Sequence, residues 1–209
     1  MKKNRLWIIS LLALTTSSLA WGSGELEVCE AKPAAKCAGM FLSGIDFRGL
    51  DLSGATLSTS NLANANFQKA DLDTADLSHA DLRGANLTEA SLNGADLQES
   101  NLTAAALNNA DLNRANLTDV IMSGADLRGS ELKHADLTGA DLAQAKLSDA
   151  DLQEADLRSA NLTGASLAGA NLRGATFTNA NLKDADLRGA ELAFANFLGA
   201  KTAGCRGCP

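Results

Sequence analysis

From Leu42 to Phe197 every fifth residue is Leu, Phe or Met, giving 32 consecutive positions with no exception and no shift of frame. Twenty-seven are Leu, four are Phe (Phe47, Phe67, Phe177 and Phe197) and one is Met122. Two residues earlier stands Ala in 25 of the 32, and one residue earlier stands Asp or Asn in 22. The unit therefore reads Ala-(Asp/Asn)-Leu-x-x, as in Ala80-Asp81-Leu82-Arg83-Gly84. A period of five suits neither standard element, because such residues spiral around an α-helix and switch faces along a strand. It suits a chain that turns a corner every five residues and points each Leu inward. Four such sides close a square coil, and stacked coils hydrogen-bond at a strand-like spacing of ~4.8 Å. Ala must be small because it shares the narrow interior with Leu, and the remaining three positions face outward.

Composition agrees with a regular stack and not with a rounded globule. The 209 residues include no Tyr, two Pro and 4% aromatic residues, too few large side chains for an ordinary core. A hydrophobic fraction of 45%, mostly Ala and Leu, is nevertheless too high for a disordered chain.

The repeat resembles that of the pentapeptide-repeat family over residues 40–200. The resemblance implies an all-β fold, a right-handed quadrilateral β-helix. At four repeats per coil the array makes about eight coils, a rod ~35 to 40 Å long, in which each coil depends on its neighbours. The motif departs from pattern in three places. Met40, Ile45 and Leu50 are bulky where Ala is expected, which predicts a wider first coil filled by residues 24–39. Val120, Ile121 and Met122 replace Ala-Asp-Leu, which puts Ile121 on the surface. Phe194 and Leu198 are apolar at outward positions of the last coil.

Outside the array the chain divides into a leader (1–20), an amino-terminal cap with a cysteine pair (21–39) and a tail (201–209). Lys2, Lys3 and Arg5 precede the apolar run Leu6 to Leu14, with small residues at Ser18 and Ala20, the pattern of a secretory signal peptide. This predicts a periplasmic or secreted protein with no membrane span after cleavage. The four cysteines lie outside the array, Cys29 and Cys37 before it, Cys205 and Cys208 after it. A rod of eight coils separates the groups by far more than the ~7 Å Cα limit of a disulfide, leaving Cys29–Cys37 and Cys205–Cys208, each a staple on one end in an oxidising compartment. Cys205-Arg206-Gly207-Cys208 also has the form of a redox pair, although such pairs usually open a helix in a thioredoxin-like unit. It lacks the following His that haem attachment needs, and the two pairs are too far apart for one zinc site.

No enzyme, cofactor or metal site is expected. The only histidines, His79 and His134, fall on adjacent sides nearly three coils apart, and a filled rod offers no cleft for a ligand. The charge is more telling. The formal net charge is −7 and falls to −10 once Lys2, Lys3 and Arg5 are lost with the leader. Sorting repeats by side places a net −5 on the side of Leu52 and −5 on the side of Leu57, against −1 and 0 on the others. Such a charge keeps an exported rod soluble, and any partner recruited by charge is expected to be basic and to bind the side marked by Asp76, Asp96, Asp136 and Asp156. The negative sign disfavours direct binding of nucleic acid.

The expected function is a non-enzymatic exported scaffold or protein-interaction module. Two rival readings stand beside it. One, from the family resemblance, is a DNA mimic that binds DNA gyrase in place of duplex DNA, which the export signal opposes; the other is a thiol-disulfide redox protein acting through the terminal C-x-x-C. A solenoid end exposes unpaired edges. At the carboxyl end either the short tail folds over the last coil or a second chain covers it, with Phe194 and Leu198 suited to a homodimer contact.

Overall fold

The structure, a computed structural model, describes residues 29–209. The leader (1–20) and the first part of the expected cap lie outside the described residues. Every residue before an interior position pairs in parallel with the residue 20 further on, in 31 bridges from Lys36↔Thr56 to Asp186↔Arg206. The chain is thus a four-sided solenoid making eight full turns from Lys36 to Ala195, followed by a partial turn. Side 1 carries the column Lys36, Thr56, Asp76 and onward, side 2 Phe41, Asn61, Asp81, side 3 Asp46, Asn66, Asn86, and side 4 Asp51, Asp71, Ser91. Among the described residues there is no helix, and so none long and apolar enough to cross a membrane.

One repeat accounts for all five of its backbone donors. In Ala80 to Gly84 the Ala80 N–H donates to the Leu77 carbonyl across the corner (3.1 Å). Asp81 donates down to Ser60 (2.9 Å), and Leu82 and Gly84 donate up to Asn101 (2.7 Å) and Thr103 (3.0 Å). The fifth donor, Arg83 N–H, is met by Asp81 Oδ1 at 3.2 Å. All 22 Asp and Asn residues at this place accept the N–H two residues on. That is why the repeat requires Asp or Asn: the side chain completes the hydrogen bonding that a tight corner leaves undone. The position is therefore not freely outward-facing, as the sequence pattern suggested. Ten units lack that acceptor, and in two of them, at Ser91 and Glu131, the coil below supplies one, Asp73 to the N–H of Asn93 and Asn113 to that of Lys133.

The fifth residue of each unit turns the corner in the left-handed region, at 35 successive positions from Ala34 to Gly204. Twenty are not glycine, at φ between 53° and 64°, each a local cost of about 1 to 2 kcal/mol that the ladder holds in place. Long corner side chains lean over a glycine in the next coil. Asn64 reaches the space above Gly84 and Asn109 that above Gly129, where a Cβ would stand 2.7 and 2.6 Å from the amide oxygens.

The interior is filled by the Leu and Ala columns, which are buried from Leu52 to Leu187. Ser60, Ser100 and Ser130 take the Ala place, and their hydroxyls donate to the carbonyls of Cys37, Leu97 and Leu127 at 2.7 Å. Phe47 stacks on Phe67 and Phe177 on Phe197, each pair with centroids 4.8 Å apart. Ile121 is on the surface. Met40, Ile45 and Leu50 are half-buried at the first coil. The ladder begins one repeat before residue 40, because Cys37 occupies a Leu place, is fully buried and donates its N–H to Thr56. It also continues past residue 200, where Lys201 and Arg206 still pair with the coil below.

Candidate functional site: the acidic sides and the carboxyl end

Four carboxylates that lie far apart in sequence share one column of side 1. Asp76 bridges Asp96, Asn116 follows, and Asp136 bridges Asp156, so the five stand on successive coils at ~4.8 Å. Asp96 accepts from Asn116 Nδ2 at 2.9 Å, and Asp76 accepts the Ser78 hydroxyl at 2.6 Å. Burial pushes the Asp76 carboxyl up, but the hydrogen bonds from Ser78 and Ser58 outweigh it and hold the group below its ordinary value. Asp156 is paired with Arg158 at 2.6 Å. Side 4 adjoins side 1 and carries Asp51, Asp71, Asp111, Glu131, Asp151 and Glu191 in its own column.

Asp and Asn satisfy the corner equally well, so the choice between them is not dictated by the fold. On sides 1 and 4 that choice favours Asp by eight to three; on sides 2 and 3 it is five to six. Neutralisation follows the same division. Four of the five Asp on sides 2 and 3 (Asp46, Asp81, Asp126 and Asp186) are gripped by an Arg two residues on, through both Nε and Nη2. Those guanidinium groups hold the carboxyls of Asp46, Asp81 and Asp126 below the usual range. On sides 1 and 4 the same place has one Arg pair, at Asp156, and one Lys contact, Lys133 to Asp151 at 3.2 Å.

His79 and His134 occupy corners on sides 1 and 4, and each contacts a glutamate 20 residues on, Glu99 and Glu154, both at 3.4 Å. They form two separate surface pairs and not one site. Among the described residues no cluster of His, Cys, Asp and Glu is placed to hold a metal ion.

At the carboxyl end the two apolar residues singled out by the pattern are bare, Phe194 at 88% and Leu198 at 72% exposure. They lie four residues apart, Phe194 on the corner where side 4 gives way to side 1 and Leu198 on the side-1 repeat that follows. The interior residues Leu192 and Phe197 are half-buried there. The pattern did not single out Phe41, 85% exposed on the first coil; it sits at an Asp place, which was the available signal.

The cysteines pair as the spacing required, Cys29 with Cys37 (Cα atoms 5.2 Å apart) and Cys205 with Cys208 (5.9 Å). The tail neither forms a separate lid nor leaves the stack. Cys205 to Gly207 continue the coil, Arg206 contacts Asp186 at 3.1 Å, and Gly207 passes so close over Leu187 that a Cβ would stand 2.8 Å from its backbone. Only a glycine allows the chain to lie there.

Such an arrangement defines a filled β-solenoid whose chemistry lies on its outer faces and ends. The pentapeptide-repeats family model matches in eight copies, over segments running from 42–78 to 165–201, and the chain belongs to that family. Among solved structures it is similar to HetL, a pentapeptide repeat protein involved in heterocyst differentiation regulation in the cyanobacterium Nostoc sp. strain PCC 7120. That match has 32% identity over 81% of this chain and 91% of the other, with a TM-score of 0.40. Rfr23 from the cyanobacterium Cyanothece 51142 is 39% identical over 46% of this chain and 63% of its own, with a TM-score of 0.33. The plasmid-mediated fluoroquinolone resistance protein QnrB1 is 18% identical over 81% and 90%, with a TM-score of 0.37. No curated protein matches the chain.

Proposed function

We propose that this protein is an exported, non-catalytic scaffold that presents sides 1 and 4 of its rod to a basic protein partner. The observation that carries the reading is the uneven choice of Asp over Asn. Nine Asn make the corner bond as well as thirteen Asp do, and the excess Asp falls on two adjoining sides where one of eight Asp is paired with an Arg two residues on, against four of five on the other sides. A stack held by three inter-coil hydrogen bonds per repeat keeps those charges at fixed spacing, so a partner meets a preorganised surface. Export rests on the leader pattern in residues 1–20. The same reading takes the solenoid as right-handed, with the residues before the ladder as its amino-terminal cap. It assigns the bare Phe194 and Leu198 to pairing with a second copy.

The test is side-specific crosslinking in intact cells. A photoreactive residue at Ser78, on side 1, is expected to give adducts that disappear when Asp76, Asp96, Asp136 and Asp156 are all changed to Asn. The same residue at Gln68, on side 3, is expected to give none. Equal adducts from both positions, or adducts indifferent to the four Asn, would sink the acidic-side reading, and recovery of the uncleaved chain in the cytosol would sink export.

A further inference from the structure

We propose that Cys205–Cys208 is a thiol–disulfide exchange site: an external dithiol reduces it reversibly and releases the last rung of the ladder, while Cys29–Cys37 in the same molecule stays closed. The two bonds sit in opposite surroundings. Cys37 fills an interior Leu place at 0% exposure and Cys29 is 9% exposed. Cys37 is also tied to the second coil, by its N–H to Thr56 (2.7 Å) and by its carbonyl, which accepts the Ser60 hydroxyl (2.7 Å). A reductant reaches that bond only after the first coil lifts away. Cys205 and Cys208 are both half-exposed at the margin of the stack.

Position gives the exposed bond a consequence. Arg206, enclosed between the two cysteines, is the last residue to pair with the coil below. Its N–H donates to the Ala185 carbonyl (2.9 Å) and its carbonyl accepts the Leu187 N–H (2.7 Å). Its guanidinium contacts Asp186, already gripped by Arg188. Gly207 then lies against the Leu187 backbone and covers a residue that is 1% exposed. The disulfide closes residues 205–208 into a ring that keeps this rung seated. Without it only three backbone bonds, the third from the Cys205 N–H to the Thr202 carbonyl (3.0 Å), and the ion pair of Arg206 hold five residues, and those do not offset the chain entropy gained on release.

In the exchange a thiolate of the dithiol attacks one sulfur and breaks the Cys205–Cys208 bond, and the other cysteine leaves as a thiolate that takes up a proton. The second thiol of the reductant then displaces the remaining cysteine, so two electrons and two protons pass to the protein and the reductant leaves as a disulfide. Reverse exchange with that disulfide restores the ring.

The full oxidised protein is titrated with dithiothreitol, quenched with iodoacetamide at intervals and mapped by mass spectrometry, with amide hydrogen exchange followed in parallel. Cys205 and Cys208 are expected to be alkylated on the order of ten-fold faster than Cys29 and Cys37. The amides of Arg206 and Leu187 should lose protection at the same dithiothreitol concentrations, while those of Leu117 and Leu137 do not. The double variant C205S/C208S should show the same loss without reductant. Opening of both disulfides at one rate overturns the proposal. So does alkylation of Cys205 and Cys208 with the Arg206 and Leu187 amides still protected, or a double variant as protected as the oxidised protein.

Discussion

Replacing Asp76, Asp96, Asp136 and Asp156 in two ways separates what those residues do for the fold from what they do for binding. Asp→Asn at all four removes four of the chain's 25 acidic side chains and keeps every corner acceptor, since Asn116 meets the Thr118 N–H at 3.2 Å in the same column. Asp→Ala removes the same charges and also strands the N–H groups of Ser78, Gln98, Thr138 and Arg158, now bonded at 3.0 to 3.1 Å. These donors lie near the surface, where water takes up part of the loss, so each costs about 0.5 to 1 kcal/mol and the four together about 2 to 4 kcal/mol. The Asp156–Arg158 ion pair is lost in both variants and cancels from the comparison. Urea unfolding should therefore leave the Asn variant close to the parent and lower the Ala variant by that amount. Both should lose the basic partner. Equal destabilisation of the two variants would refute the claim that the oxygen is structural and the charge is not.

Other substitutions test the interior, the open end and the ion pairs. Leu117→Asp places an unpaired charge in the fully buried stack and should cost upwards of about 4 kcal/mol, whereas Thr118→Lys next to it should leave the thermal midpoint nearly unchanged; matching midpoints would reverse the assignment of inside and outside. Phe194→Ser with Leu198→Ser should shift a dimer to a monomer in sedimentation, and a parent chain that is monomeric at high concentration would remove the pairing idea. Hydrogen bonding from Arg188 holds the Asp186 carboxyl at about 2, against its ordinary 3.8. The folded state thus binds fewer protons there than the unfolded chain, so this contribution is full above about pH 4 and fades as pH falls through about 2. Exchange of the Arg206 amide should rise across that window and remain flat from pH 5 to 7 once corrected for intrinsic rate.

Much of this architecture is legible in the sequence because one rule is repeated. The Leu and Ala columns needed only the period of five and the size of the side chains, and the cysteine pairing needed only the length of the rod. The hidden parts lie where tertiary structure overrides local preference. Nothing local marks Thr59, Lys69 or Glu89 as left-handed; they are held so because both neighbouring coils fix the chain on either side. The structural use of Asp was obscured because Asp and Asn look like ordinary surface residues until the fifth backbone donor is accounted for. Cys37, Thr202 and Gly207 stand in Leu places, but a cysteine reads as a staple, a threonine as a surface residue and a glycine as a turn, so the array seemed to stop one repeat short at its amino end and two short at its carboxyl end. The acidic column was legible only after the chain was wound into four sides.

The pairing of each residue with the one 20 positions on makes a face of this rod a remainder and not a stretch of chain. Deleting one whole coil, such as residues 96–115, would shorten the rod and still leave Asp76 beneath Asn116, with the side-1 column unbroken. Deleting a single pentapeptide would leave the Leu period perfect and the core filled, yet turn everything downstream by a quarter. Asp136 and Asp156 would then stand over side 4, and the column begun by Asp76 and Asp96 would continue in residues that now belong to side 2. Lineages of such rods can therefore change length in steps of four repeats without disturbing what they display, whereas a step of one rewrites every face beyond it while leaving the stability almost untouched.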